Sequence, residues 1–223
     1  MESASTESIL TALEEVAGFG SFFSLRIGGD AAGWHDVKCD YERGFTDLVE
    51  ATATRYGTRE LRIGASIAQL GHAARLWSPL LATVLTHAVV PDLTRLDRAD
   101  EGPDLRLPTP TGWHYESPAQ LYDLVIRRHL EPLAAGLRVK VAPGLLYGNA
   151  ASALAEAGRA IAAMRPDLAG PATGLVTDLL ARGHLAGKGA LISPELAFRR
   201  TTCCLYYRVP GGSKCDDCSL AKK

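Results

Sequence analysis

The sequence predicts an α+β fold, helix-rich with a small antiparallel β component and a C-terminal cysteine loop. Three observations predict it. Apolar residues recur at helical spacing through most of the chain. Short aromatic and β-branched runs bounded by glycine read as strands, with no alternating strand–helix order that would build a parallel sheet. Four of the five cysteines fall within the last twenty-one of 223 positions.

The elements follow in order. In TESILTALEEVAGFG, Ile9, Leu10, Leu13, Val16 and Ala17 share one helical face, and Gly18 marks the stop. SFFSLRIG (21–28) reads as a strand, and WHDVKCDY (34–41) as a second. FTDLVEATATRY (45–56) is helical. Residues 60–90 form one long helix or a pair split near Ser78-Pro79, because proline disfavours helical geometry in the residue before it. Prolines 91, 103, 108 and 110 make the next stretch irregular, and DLRLPTPTGWHYES suggests a hairpin turning near Thr111-Gly112. Helices are expected over about 118–134, 144–164 and 172–183, with a short one in LISPELAF. A soft boundary near 97–110 divides the chain into an N-terminal helix/strand region (1–100) and a helical region (101–223) ending in the cysteine segment 199–220. One continuous domain is equally compatible.

Composition narrows the function. Hydrophobic content of 47% and charged content of 22% are ordinary for a globular protein. Net charge is −1, so no global field calls for nucleic acid or an anionic membrane. The longest apolar run, 76–90, is interrupted by Ser78, Pro79, Thr83, Thr86 and His87, too often for a membrane span. MESASTES lacks a cationic start and an apolar stretch, so a cytoplasmic location is expected, with peripheral association at the inner membrane face compatible. In a reducing compartment, clustered thiols more often hold metal than form disulfides.

Cys203 and Cys204 are adjacent, and Cys215 and Cys218 form a C-x2-C pair ten residues later. A C-x2-C loop lets two thiolates chelate one metal. Val209-Pro210-Gly211-Gly212 supplies a turn that brings the first pair back against that loop. Two occupants remain open on spacing alone: a tetrahedral zinc, or a [2Fe–2S] cluster with two thiolates per iron. The vicinal pair is awkward for zinc, because adjacent side chains of an extended chain diverge.

The run Cys203-Cys204-x10-Cys215-x2-Cys218 resembles the C-terminal signature of the FhuF-like siderophore-iron reductases. RRTTCCLYYRVPGG (199–212), LLYGNAASALAEAG (145–158) and GHAARLWSPLL (71–81) resemble segments of the same family. The resemblance spans roughly 60–220. Tyr147 stands where the family usually has Trp, and Asp216 where it often has Gly. The resemblance implies a [2Fe–2S] cluster on Cys203, Cys204, Cys215 and Cys218. It implies one-electron reduction of siderophore-bound Fe3+, with hydroxamate chelates as the common substrates. No nicotinamide or flavin motif is evident, so electrons are expected from a separate donor such as a ferredoxin. Two alternatives stand beside this: a zinc-stapled chelate-binding protein and a ferredoxin-type carrier.

Residues 199–223 carry six Lys/Arg against Asp216 and Asp217, a local charge of +4 that leaves −5 for the rest. Arg199, Arg200, Arg208 and Lys214 are therefore candidates for donor or substrate docking, and His72 with Arg75 for a polar cleft. Gly148, Ala151, Ser152 and Ala155 read as a face for close helix packing. Asn149, if buried, needs a partner, with a backbone group of the cysteine loop as the expected one. Tyr206 and Tyr207 are expected to shield the site from water. Trp34, Trp77 and Trp113 read as packing residues, and Cys39 as a buried thiol outside the site.

Overall fold

The computed structural model describes residues 2–221. Its longest element is α4 (Leu61–His87), and the molecule is assembled around that helix. Before it come α1 (Thr6–Ala17), α2 (Val37–Arg43) and α3 (Thr46–Arg55); after it come α5 (Pro118–Tyr122), α6 (Glu131–Gly136), α7 (Pro143–Met164) and α8 (Ala169–Leu180). Residues Asp123–Leu130, between α5 and α6, continue the helical run with π geometry. α1 starts where Ser5 accepts a hydrogen bond from the Ser8 N–H and stops at Gly18.

α4 packs against α7, and α8 packs against α7 and touches α4. Trp77, Leu80 and Leu81 of α4 enter the same hydrophobic core as Ile9 and Leu13 of α1, Leu154 and Ile161 of α7, and Val176 of α8. α3 lies so close to α4 that a methyl group on Gly64 would overlap the Val49 carbonyl.

The helix does not split at Pro79. A proline inside a helix removes one hydrogen bond and costs about 3 kcal/mol. Pro79 is buried between Trp77 and Leu80, both fully buried, and burial of that face offsets the loss.

Strands are short. β1 (Arg26–Ile27), β5 (Leu105–Leu107), β4 (Asp97–Ala99) and β2 (Trp34–Asp36) form one sheet in that order. β1 and β5 run parallel, so this sheet is mixed; the other two pairings are antiparallel. β3 (Val89–Pro91) pairs with β6 (Gly112–His114), and β7 (Gly189–Leu191) with β8 (Phe198–Arg200), both antiparallel.

Four local expectations change, the first being the strand over 21–28, of which only Arg26–Ile27 is strand while 21–23 form a turn. The strand over 34–41 ends at Asp36, whose carboxylate accepts from the Lys38 N–H at 2.9 Å and starts α2. The hairpin through Thr111-Gly112 does not form, because β5 pairs with β4 and β1 while β6 pairs with β3. LISPELAF is the connection of the β7–β8 hairpin rather than a helix, with Leu196 at φ 60.

Candidate metal centre

The cysteine segment leaves β8 and doubles back on itself. Leu205 takes a left-handed conformation (φ 70), and a 3-10 turn, Tyr206–Arg208, follows. The expected turn is present: the Gly212 N–H donates to the Val209 carbonyl at 2.8 Å, with Gly211 at φ 71. The chain then returns to the C-x2-C loop, closed by the Cys218 N–H on the Cys215 carbonyl at 3.0 Å.

This path brings the two pairs together. The Sγ atoms of Cys204 and Cys215 lie 3.7 Å apart. Cys204 and Cys218 are buried, and Cys203 and Cys215 are half-buried. Backbone N–H groups point at two of the sulfurs: Leu205 to Cys203 Sγ at 3.3 Å, and Leu220 to Cys218 Sγ at 3.4 Å. Burial pushes the Cys215 thiol up to about 12, and the neighbouring Cys204 adds to the shift. Burial also raises Cys203, opposed first by the Leu205 N–H and last by the Arg200 charge.

Helices α4 and α7 grip this segment with buried polar side chains. Ser66 Oγ donates to the Cys204 carbonyl at 2.8 Å. Asn149, fully buried, donates to the Ser66 carbonyl at 2.9 Å and to Gln69 Oε1 at 3.0 Å. Its own oxygen accepts from Arg200 Nη2. Ser152 Oγ donates to the Asp217 carboxylate inside the C-x2-C loop, and the Arg200 N–H donates to the Asp217 carbonyl at 3.0 Å. Asn149 therefore supports the loop through Ser66 and Arg200, not by a direct bond to the loop backbone. Ser66 and Gln69 were not singled out in the sequence, and Ser152 was read there only as part of a packing face. A signal existed, since Ser66/Gln69 and Asn149/Ser152 are i,i+3 pairs of polar groups on mostly apolar helices.

The basic residues scatter. Arg200 is 2% exposed, so it is not part of a docking surface. Arg199 Nη1 donates to the Ala221 carbonyl at 3.3 Å. Arg208 pairs with Glu60 at 2.8 Å, and Lys214 is exposed. Lys222 and Lys223, which contribute to the +4 local charge, lie outside the described residues. Cys39 is exposed rather than buried.

A groove of about 710 Å³ opens beside the thiols. Cys204, Cys215 and Tyr206 line it, facing Phe22 and residues of α3, α4 and α7. Tyr206 meets Tyr56 edge-on at 5.7 Å, while Tyr207 is exposed. Arg75 lies 4.8 Å over the Phe22 ring and donates to the Gly71 carbonyl at 3.1 Å. It has no ion-pair partner among the described residues, and burial lowers its pKa. His72 also borders the groove, but it is buried and its Nε2 is bound to the Tyr41 hydroxyl at 2.8 Å. Burial holds its pKa well below the ordinary histidine range, so the ring is neutral.

Comparison with known proteins agrees with this geometry. Residues 200–220 match the family model of the FhuF 2Fe-2S C-terminal domain. No curated protein and no solved structure matches the chain. The cofactor of this FhuF-type segment is a [2Fe–2S] cluster. The donor set fits it, being four thiols with backbone N–H groups already aimed at sulfur. Among the described residues no three His, Cys, Asp or Glu side chains close on a single point. A two-iron group takes two thiolates at each metal and does not need three at one. No helix among the described residues is long and apolar enough to cross a membrane.

Proposed function

We propose that the protein is a cytoplasmic ferric-siderophore reductase, with Cys203, Cys204, Cys215 and Cys218 as the cluster ligands. The observation that carries this reading is the groove that reaches Cys204 and Cys215. A ferredoxin-type carrier has no need of a 710 Å³ groove against its thiols. When bound, a [2Fe–2S] cluster supplies one-electron redox chemistry at that wall. One electron leaves a donor protein of ferredoxin type, and one Fe3+ in the chelate becomes Fe2+. No bond to the protein forms or breaks. Hard oxygen donors of the hydroxamate kind hold Fe3+ far better than Fe2+, so the added electron lets the metal leave.

The chain's own residues bind and orient. Arg75 keeps guanidinium donors free of protein partners among the described residues, and its stacking on Phe22 holds it in place. Oxygen atoms on the chelate rim complement it. Tyr56 and Tyr206 meet edge to face on the groove wall beside the thiols.

The test mixes anaerobically reduced protein with a ferric trihydroxamate and follows Fe2+ with a chromogenic ferrous chelator. Stoichiometric, saturable reoxidation is expected. Arg75→Gln should raise KM about tenfold and leave kcat nearly unchanged, the cost of one charge-assisted hydrogen bond made equally in ground and transition states. If reduced protein persists beside excess ferric chelate yet is reoxidised at once by ferricyanide, the reductase reading is wrong.

A further inference from the structure

Arg200 carries a buried charge without an anion beside it. Strand alternation puts it there: Phe198 and Arg200 of β8 face inward and Arg199 faces outward. Only 2% of Arg200 is exposed. Nη2 donates to Asn149, a neutral amide, while Nε and Nη1 have no partner among the described residues. No carboxylate forms an ion pair with it among the described residues. Asp217, the nearest acidic residue by backbone contact, gives its carbonyl to the Arg200 N–H and its carboxylate to Ser152. A buried, uncompensated cation is strongly unfavourable unless an anion joins it.

The thiols are where that anion belongs. Arg200 shares the groove wall with Cys204 and Cys215. It precedes Cys203 by three residues in the same segment. Four thiolates around two irons make an anionic group, and reduction adds one more negative charge.

We propose that Arg200 is the internal counter-charge of the bound cluster, a positioning residue that favours its reduced state rather than a docking residue for the donor. This rests on the cofactor and on the four cysteines as its ligands. It does not require that the substrate be a siderophore. The competing anion would be a negatively charged chelate in the groove, which Arg200 also lines.

The experiment is an anaerobic potentiometric titration of the cluster-loaded protein without chelate, comparing wild type, Arg200→Gln and Arg200→Lys. At the wild-type midpoint, Arg200→Gln should show a reduced-to-oxidised ratio lower by about tenfold, roughly 59 mV for a one-electron couple. Arg200→Lys should stay near wild type, because it keeps the charge. Equal potentials for wild type and Arg200→Gln would overturn the proposal, and so would equal shifts in both variants, which would assign the effect to shape. An unchanged potential with tenfold weaker binding of an anionic ferric chelate would also overturn it, placing the anion in the groove. If Arg200→Gln folds by circular dichroism but loses the cluster, the lysine variant decides: retention supports the counter-charge, and loss from both refutes it. A wild-type protein that never reduces ferric chelates would sink the reductase reading and leave this result untouched.

Discussion

Asn149 uses both ends of its amide: it donates to Ser66, which holds Cys204, and to Gln69, and it accepts from Arg200 of the cysteine segment. In a buried polar network, removing one member leaves its partners unpaired at low dielectric. Truncation shows the cost. Asn149→Ala leaves Gln69 Oε1 and Arg200 Nη2 without their partner in a site where Asn149 itself is fully buried. Each orphaned group costs about 1–3 kcal/mol, so a loss of about 3 kcal/mol is expected. The urea midpoint should fall while the m-value stays constant. A loss below about 0.5 kcal/mol would mean that water replaces the amide freely. At this scale spacing narrowed the four cysteines to zinc or a [2Fe–2S] cluster, and the resemblance to the FhuF-like family chose between them. The burial of Arg200 was not. In RRTTCC nothing distinguishes Arg199 from Arg200 until the strand that sorts them onto opposite faces is known.

The fit between α7 and the cysteine segment depends on a missing side chain. A methyl group on Gly148 would overlap Thr202 Oγ1, one residue before Cys203. Thr202 is β-branched and has little χ1 freedom, so the segment rather than the side chain would have to move. Gly144, one turn earlier on the same helix, sits 4.0 Å from Thr202 Cγ2 and has room. The two substitutions should therefore differ in sign. Gly144→Ala should stabilise by about 0.5–1 kcal/mol through helix propensity. Gly148→Ala should destabilise by about 1–3 kcal/mol through overpacking and should speed cluster loss. Melting temperature and the decay of visible absorbance under a ferrous chelator measure both. Equal behaviour of the two variants would refute the packing argument. The small-residue face at 148–155 was readable as a close contact, since periodicity reports which residues share a helix side. Its partner was not readable. The β pairings failed for the same reason: a Pro/Gly-rich turn announces a reversal, but the partner of each strand is set by tertiary packing, here β3 for β6. α4 ran through Pro79 because the core around Trp77 and Leu80 outweighs the local preference of proline.

Across the whole molecule, the cysteine segment is tied to the helical body at four places distant in sequence. Ser66 holds Cys204, Asn149 holds Arg200, Ser152 holds Asp217, and Glu60 pairs with Arg208. Three of these are made by α4 and α7. Those two helices also form the main hydrophobic contact of the body. The groove was hidden in the sequence because its walls come from Phe22, α3, α4, α7 and the cysteine segment, which meet only after folding. The same wiring couples the cofactor to global stability. A ligand that binds the native but not the unfolded chain stabilises the native state by mass action. Stripping the cluster anaerobically with a strong chelator should therefore lower the melting temperature of the entire protein, with circular dichroism at a helical wavelength and the near-ultraviolet signal moving in one shared transition. Reloading with iron and sulfide should restore the original value. The alternative is a segment that hangs from an independent body. It would give an early, small transition near the thiols and leave the helical transition unmoved. That outcome would mean the four ties are too weak to link site and scaffold.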